Sequence, residues 1–120
     1  MTRLAVLIGL LACAVQAAPV VGVGLSVKIV DQHPVIDSLV PGGPAATDGR
    51  LQAGDVIEAV AQGDGKWQDT AGMTLEQFIA LVRGKRGTKV RLRAVREDED
   101  GKTKNVIVSL TRDVLKEATP

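Results

Sequence analysis

The strictest constraint on the fold lies between residues 89 and 110. From Lys89 to Arg96, Val90, Leu92 and Ala94 alternate with Arg91 and Arg93; Asp100-Gly101 follows, and then Val106, Val108 and Leu110 with Ile107 opposite. Alternation at period two reads as a strand with one buried face, and an Asp-Gly pair between two such runs reads as a tight hairpin. A lone hairpin is marginal in water, so this one must lay its apolar face against further strands or a helix.

The preceding residues supply those partners. Leu25, Val27 and Ile29 alternate with Ser26 and Lys28; Asp31-Gln32-His33-Pro34 carries turn chemistry, and Val35 to Val40 is a second run, so 25–40 predicts another hairpin. Pro41-Gly42-Gly43-Pro44 ends it. One helical turn is predicted over Ala45 to Gly49, a turn over Leu51 to Asp55 and a strand over Val56 to Ala61, followed by a polar, glycine-rich loop from Gln62 to Gly72. Thr74-Leu75-Glu76-Gln77 has the form of a capping box, which predicts a helix from Leu75 to about Arg83, closed by Gly84. Its apolar residues Leu75, Phe78, Ile79, Leu81 and Val82 form two overlapping stripes, more than one buried face needs.

A chain of 120 residues holds one such domain. Its start, Met1-Thr2-Arg3 followed by the apolar run Leu4 to Val15 and then Gln16-Ala17-Ala18-Pro19, has the order of a secretory signal peptide over 1–17. Leu10-Leu11-Ala12-Cys13 also resembles a lipobox, which would end the leader at residue 12 and lipidate Cys13; an uncleaved anchor is the third reading. The expected location is periplasmic or secreted, or lipid-anchored at the envelope. Cys13 is the only cysteine, so no intrachain disulfide can form. The 15 basic and 14 acidic residues come into balance once Arg3 leaves with the leader, which argues against a general nucleic-acid binder.

Five segments in order, Gly22-Val23-Gly24-Leu25, Val35-Ile36-Asp37-Ser38, Pro41-Gly42-Gly43-Pro44-Ala45, Gly54-Asp55-Val56-Ile57 and Gly84-Lys85-Arg86-Gly87-Thr88-Lys89-Val90, resemble PDZ domains. More narrowly, they resemble the PDZ domain of bacterial carboxy-terminal processing, or tail-specific, proteases. The resemblance runs from Val20 to about Arg112, which divides the chain into leader, PDZ domain over 20–112 and polar tail over 113–120. It implies an α+β fold: a small, partly open barrel or sandwich of five to six strands in circularly permuted order, capped by one longer and one short helix. A monomeric binding module without cofactor is expected.

In those proteases the PDZ domain precedes a core with a serine nucleophile and a lysine base, and this chain stops about where that core would begin. Ser26, Ser38 and Ser109 fall inside predicted strands, with no Gly-x-Ser-x-Gly or Ser-x-x-Lys spacing, so no catalytic residue is assigned.

The resemblance also implies a site. A ligand's last residues would add a strand to the sheet, with the terminal carboxylate in a nest of the Val23, Gly24 and Leu25 amides and Gly22 and Gly24 giving the loop its freedom. Ser26, Val27 and Ile29 would line the groove strand. Leu75, Ile79 and Val82, at i, i+4 and i+7, would form the helix wall, with Phe78 and Leu81 turned to the core. Leu75 stands where PDZ domains that prefer Ser or Thr two residues before the ligand's end carry histidine, so hydrophobic residues are expected at that position and at the last.

The partners expected are C-terminal peptides or unfolded tails of envelope proteins, or a separate protease, with an adaptor or regulatory role. The alternatives are an envelope assembly module with a fixed partner, and a non-catalytic remnant of a tail-specific protease. Membrane contact is expected only through a lipidated Cys13 or an uncleaved leader. The groove strand is expected first in the fold, with the C-terminal strand, Val106 to Arg112, as its edge partner.

Other residues have plainer readings. His33 is read as a solvated turn residue, without the neighbours a metal site needs. The basic stretch Lys85, Arg86, Lys89, Arg91, Arg93 and Arg96 is read as a solvated strand face, and Glu97-Asp98-Glu99-Asp100 as a charged hairpin tip. Trp67 either caps the core or meets a partner, and the sequence leaves both open.

Overall fold

The computed structural model describes residues 21–115. Cys13 and both cleavage readings lie outside the described residues, as does 116–120. The fold is α+β. Strands β2 (Leu25–Val30), β3 (His33–Leu39), β4 (Val56–Gln62), β6 (Lys89–Glu97) and β7 (Thr103–Thr111) lie side by side in that order, and the two-residue β5 (Gln68–Asp69) pairs with β4. All of these pairs are antiparallel, and the sheet stays open rather than closing into a barrel. A separate two-stranded sheet joins β1 (Val21–Gly22) to β8 (Asp113–Val114). The helices are α1 (Pro44–Asp48) and α2 (Leu75–Val82).

The long hairpin forms in the register its pattern demands, with Val90 opposite Leu110, Leu92 opposite Val108 and Ala94 opposite Val106. All six are buried, together with Ile36, Ile57, Val60 and Phe78. Each large apolar side chain removed from water contributes about 1.5–3 kcal/mol, so this face holds the sheet and α2 together. Arg91 and Arg93 project from the opposite face onto Trp67, their guanidinium carbons 4.7 and 5.3 Å from the ring centre. Trp67 is therefore a half-buried pin that fastens the 62–70 loop to the outer face.

Several elements differ from the sequence reading. The β2–β3 turn is only Asp31-Gln32, both at positive φ (49° and 68°), and His33 and Pro34 already belong to β3. His33 is half-buried, and its Nδ1 donates to the Asp31 carbonyl at 2.9 Å. The groove strand takes β3 as its neighbour, and β7 lies at the far side of the sheet, so the expected pairing of β2 with the C-terminal strand does not occur. Only Asp113–Val114 returns toward the beginning of the domain, to pair with Val21–Gly22, so the first residues of the supposed tail are strand.

Arg96 leaves the basic face to grip Asp55, which is 1% exposed, through Nε and Nη2 at 2.8 Å each. Arg112, the last residue of the expected domain, is buried. Helix α2 stops at Val82, with Arg83 in extended conformation, so Gly84 does not close it by a left-handed turn.

Candidate functional site

The loop before β2 is shaped by two glycines that nearly touch. Gly24 has φ +81°, and a Cβ there would lie 3.3 Å from the Gly43 Cα; a Cβ on Gly43 would lie 3.2 Å from the Val40 carbonyl oxygen. No side chain fits either position without displacing backbone. Two hydrogen bonds hold the loop from behind: the Val40 amide donates to the Gly24 carbonyl and the Ala45 amide to the Val23 carbonyl, both at 2.9 Å. With their carbonyls thus engaged, the Val23 and Gly24 amides have no acceptor among the described residues.

The Val40 to Gly24 bond also fixes the direction of the next residue. It makes Leu25 and Leu39 a non-hydrogen-bonded pair, so the N–H and C=O of Leu25 point away from β3. No strand occupies that side of β2 among the described residues, and α2 packs across from it. The capping box that starts α2 is present in full: the Gln77 amide donates to Thr74 Oγ1 at 3.1 Å, and the Thr74 amide donates to Gln77 Oε1 at 2.9 Å.

Between β2 and α2 lies an open cavity of about 290 Å³. Gly22, Val23, Gly24 and Leu25 form one end, Ser26 and Val27 one side, and Ile79 and Val82 the other. Of the residues read from sequence, these eight are brought together. Ile29 and Leu75 are not: the cavity stops short of both, Ile29 being 36% exposed and Leu75 half-buried.

The helix roles also differ from the expected split. Val82 is 7% exposed and serves core and cavity alike, and Phe78, expected to face only the core, lines the cavity too, while Leu81 packs against the core. Helical geometry explains this, because neighbouring stripes overlap and a large ring in the middle touches both sides. Arg83 and Leu115 were missed; each lies within 3.8 Å of where a Cβ on Gly22 would stand. Neither carried a signal in the sequence, since one follows the helix and the other lies in the segment read as tail.

Ser26, Ser38 and Ser109 lie in β2, β3 and β7, as expected. The arrangement offers an unpaired strand edge, free amides at its start and an apolar opposite wall. Such a site suits non-covalent capture of an extended chain.

A PDZ-domain sequence profile matches residues 14–95, more than half of the chain. The tail-specific protease of Haemophilus influenzae is 38% identical over 95 residues, which cover 79% of this chain but only 13% of the protease. A solved structure of the PDZ domain of a carboxy-terminal protease from Vibrio cholerae, in complex with peptide, is 33% identical with a TM-score of 0.75, covering 82% of this chain and 99% of that one. The photosystem II D1 C-terminal processing protease is 28% identical with a TM-score of 0.66, covering 88% of this chain and 26% of that one.

Proposed function

The chain belongs to the PDZ domain family, and from that premise we propose that it is an exported module that captures hydrophobic C-terminal tails of other polypeptides by β-strand addition. The observation that carries the reading is the open edge of β2, facing an apolar helix wall and beginning at two amides without acceptors among the described residues. A tail lying along that edge extends the sheet, and its last side chain enters the apolar cavity. Its terminal carboxylate meets the Val23 and Gly24 amides. The similar Vibrio domain was solved with a peptide, which supports a peptide as the ligand class. The role is that of an adaptor or regulator acting on envelope proteins.

A second reading is favoured by the identity to the tail-specific protease: the domain is the recognition segment, or a remnant, of such an enzyme. Both readings use the same groove.

The test is titration of the protein with a short peptide ending in apolar residues, as free acid and as C-terminal amide. The free acid is expected to bind with a dissociation constant on the order of 1 μM, about −8 kcal/mol. The amide, having lost the charge that the loop amides bind, is expected to bind far more weakly. Equal affinity for both forms rejects tail capture and leaves internal-strand or fixed-partner binding.

A further inference from the structure

Arg83 is the only charged side chain lining the cavity among the described residues. It follows the last residue of α2 with extended backbone (φ −77°, ψ 155°), its amide donating to the Ile79 carbonyl at 2.9 Å. This departure from the helix brings its stem to the carboxylate end of the groove, where Cγ lies 3.8 Å from the position of a Cβ on Gly22.

Every other arginine in the described residues is engaged. Arg50 holds Asp48, Arg86 holds Asp113, Arg93 approaches Glu58 and Arg96 holds Asp55. Arg91 bonds the carbonyls of Gly63 and Gly65, and Arg112 is bonded internally. Arg83 alone has no ion pair and no side-chain hydrogen bond among the described residues, and it is exposed. The depression on its other side is lined by Lys85, Lys89 and Arg112, with Asp64 the only acid there. Among the side chains lining these two depressions, basic ones outnumber acidic ones.

We propose that Arg83 binds the ligand's terminal carboxylate, adding a guanidinium to the Val23 and Gly24 amides. The proposal rests on the tail-capture reading and deepens it. Backbone amides already make charge-assisted bonds to a carboxylate but carry only partial charge themselves; a guanidinium adds a full opposite charge and N–H groups whose fork matches the two carboxylate oxygens. It also attracts the anion before contact, over a distance that salt shortens. A free carboxylate is thereby separated from an internal peptide carbonyl by charge as well as by shape.

The experiment uses the whole chain and acetyl-Gly-Ser-Gly-Leu-Ala-Val, whose only charge is its terminus, as free acid and as amide. Arg83→Met is expected to weaken binding of the acid about tenfold, the loss of one charge-assisted bond, while changing the amide by less than about twofold. Its affinity for the acid should also depend less on salt than that of the wild type. Arg83→Lys, which keeps the charge, is expected to restore most of the difference and so separates charge from fold. If the wild type discriminates acid from amide and Arg83→Met discriminates to the same extent, the Arg83 assignment falls and tail capture stands. If the wild type does not discriminate, both fall.

Discussion

Arg112 shows how one buried charge can hold a binding wall in place. Its Nε donates to the Val82 carbonyl at 2.8 Å, Nη1 to Thr88 Oγ1 at 2.8 Å, and Nη2 to Gln62 Oε1 at 2.6 Å and the Leu81 carbonyl at 3.1 Å. None of these acceptors is a carboxylate. The positive charge is met instead by the carbonyls that end α2, where the helix is electronegative. Burial pushes the guanidinium down from its usual value, and it remains the charged species at neutral pH. Room for it comes from Gly84, where a Cβ would sit 2.8 Å from Cζ and from Nε of Arg112. Gly84→Ala is expected to lower stability by about 2 kcal/mol, because shifting the guanidinium leaves carbonyls of α2 without donors. Arg112→Met should cost about 2–4 kcal/mol for the same reason. Urea denaturation checks both, as a lower midpoint at unchanged slope; a Gly84→Ala protein with an unaltered midpoint would show that the contact relaxes freely.

The β2–β3 hairpin turns on two residues at positive φ, Asp31 and Gln32, and neither is glycine. That corner is the shape for which Asn-Gly is best suited. Replacing Asp31 with Asn and Gln32 with Gly is expected to stabilise the protein by about 1 kcal/mol and raise Tm by a few degrees, measured by thermal unfolding. A fall in Tm would mean that the flexibility gained by the unfolded chain outweighs the relieved corner. The same corner shows what sequence could reveal. Strands of six to nine residues were legible because alternation records which face is buried, as in Val90, Leu92 and Ala94. So was the start of α2, because Thr74 and Gln77 form a local, reciprocal pair. Strands β1, β5 and β8 have two residues each, too few to display any period. His33-Pro34 looked like turn because composition reports turn residues without saying which of them bend. At the site, Gly22 to Leu25 were legible through family resemblance, whereas Phe78 and Arg83 depend on where the helix axis lies over the sheet. Nothing within 75–83 encodes that. Ile29 and Leu75 were assigned to the groove through the same resemblance, and they lie outside the lining of the cavity.

For the whole molecule, β1 and β8 bring the two ends of the described chain together beside the binding loop, with Val21 opposite Val114. Whatever precedes Val21 therefore begins near the groove, which gives the processing of residues 1–20 a structural consequence. Because Arg3, the run Leu4 to Val15 and Val15-Gln16-Ala17 read as a cleavable leader, intact-mass measurement on the envelope fraction is expected to find Ala18 at the N-terminus. An acylated Cys13 would instead make the protein a tethered lipoprotein, and Met1 retained in a cytoplasmic protein would remove export altogether. The open side of β2 acts at this scale as well. An edge that welcomes a guest strand also welcomes another copy of itself, and Ile29 and Val30, 36% and 43% exposed, leave its far end sticky. The register shift between Ser26 and Val27, where Asp37 of β3 is the extra residue, adds local twist to the strand pair, and Lys28 sets a charge along the edge. These features oppose polymerisation without closing the edge, and a bound tail completes the protection by occupying the template.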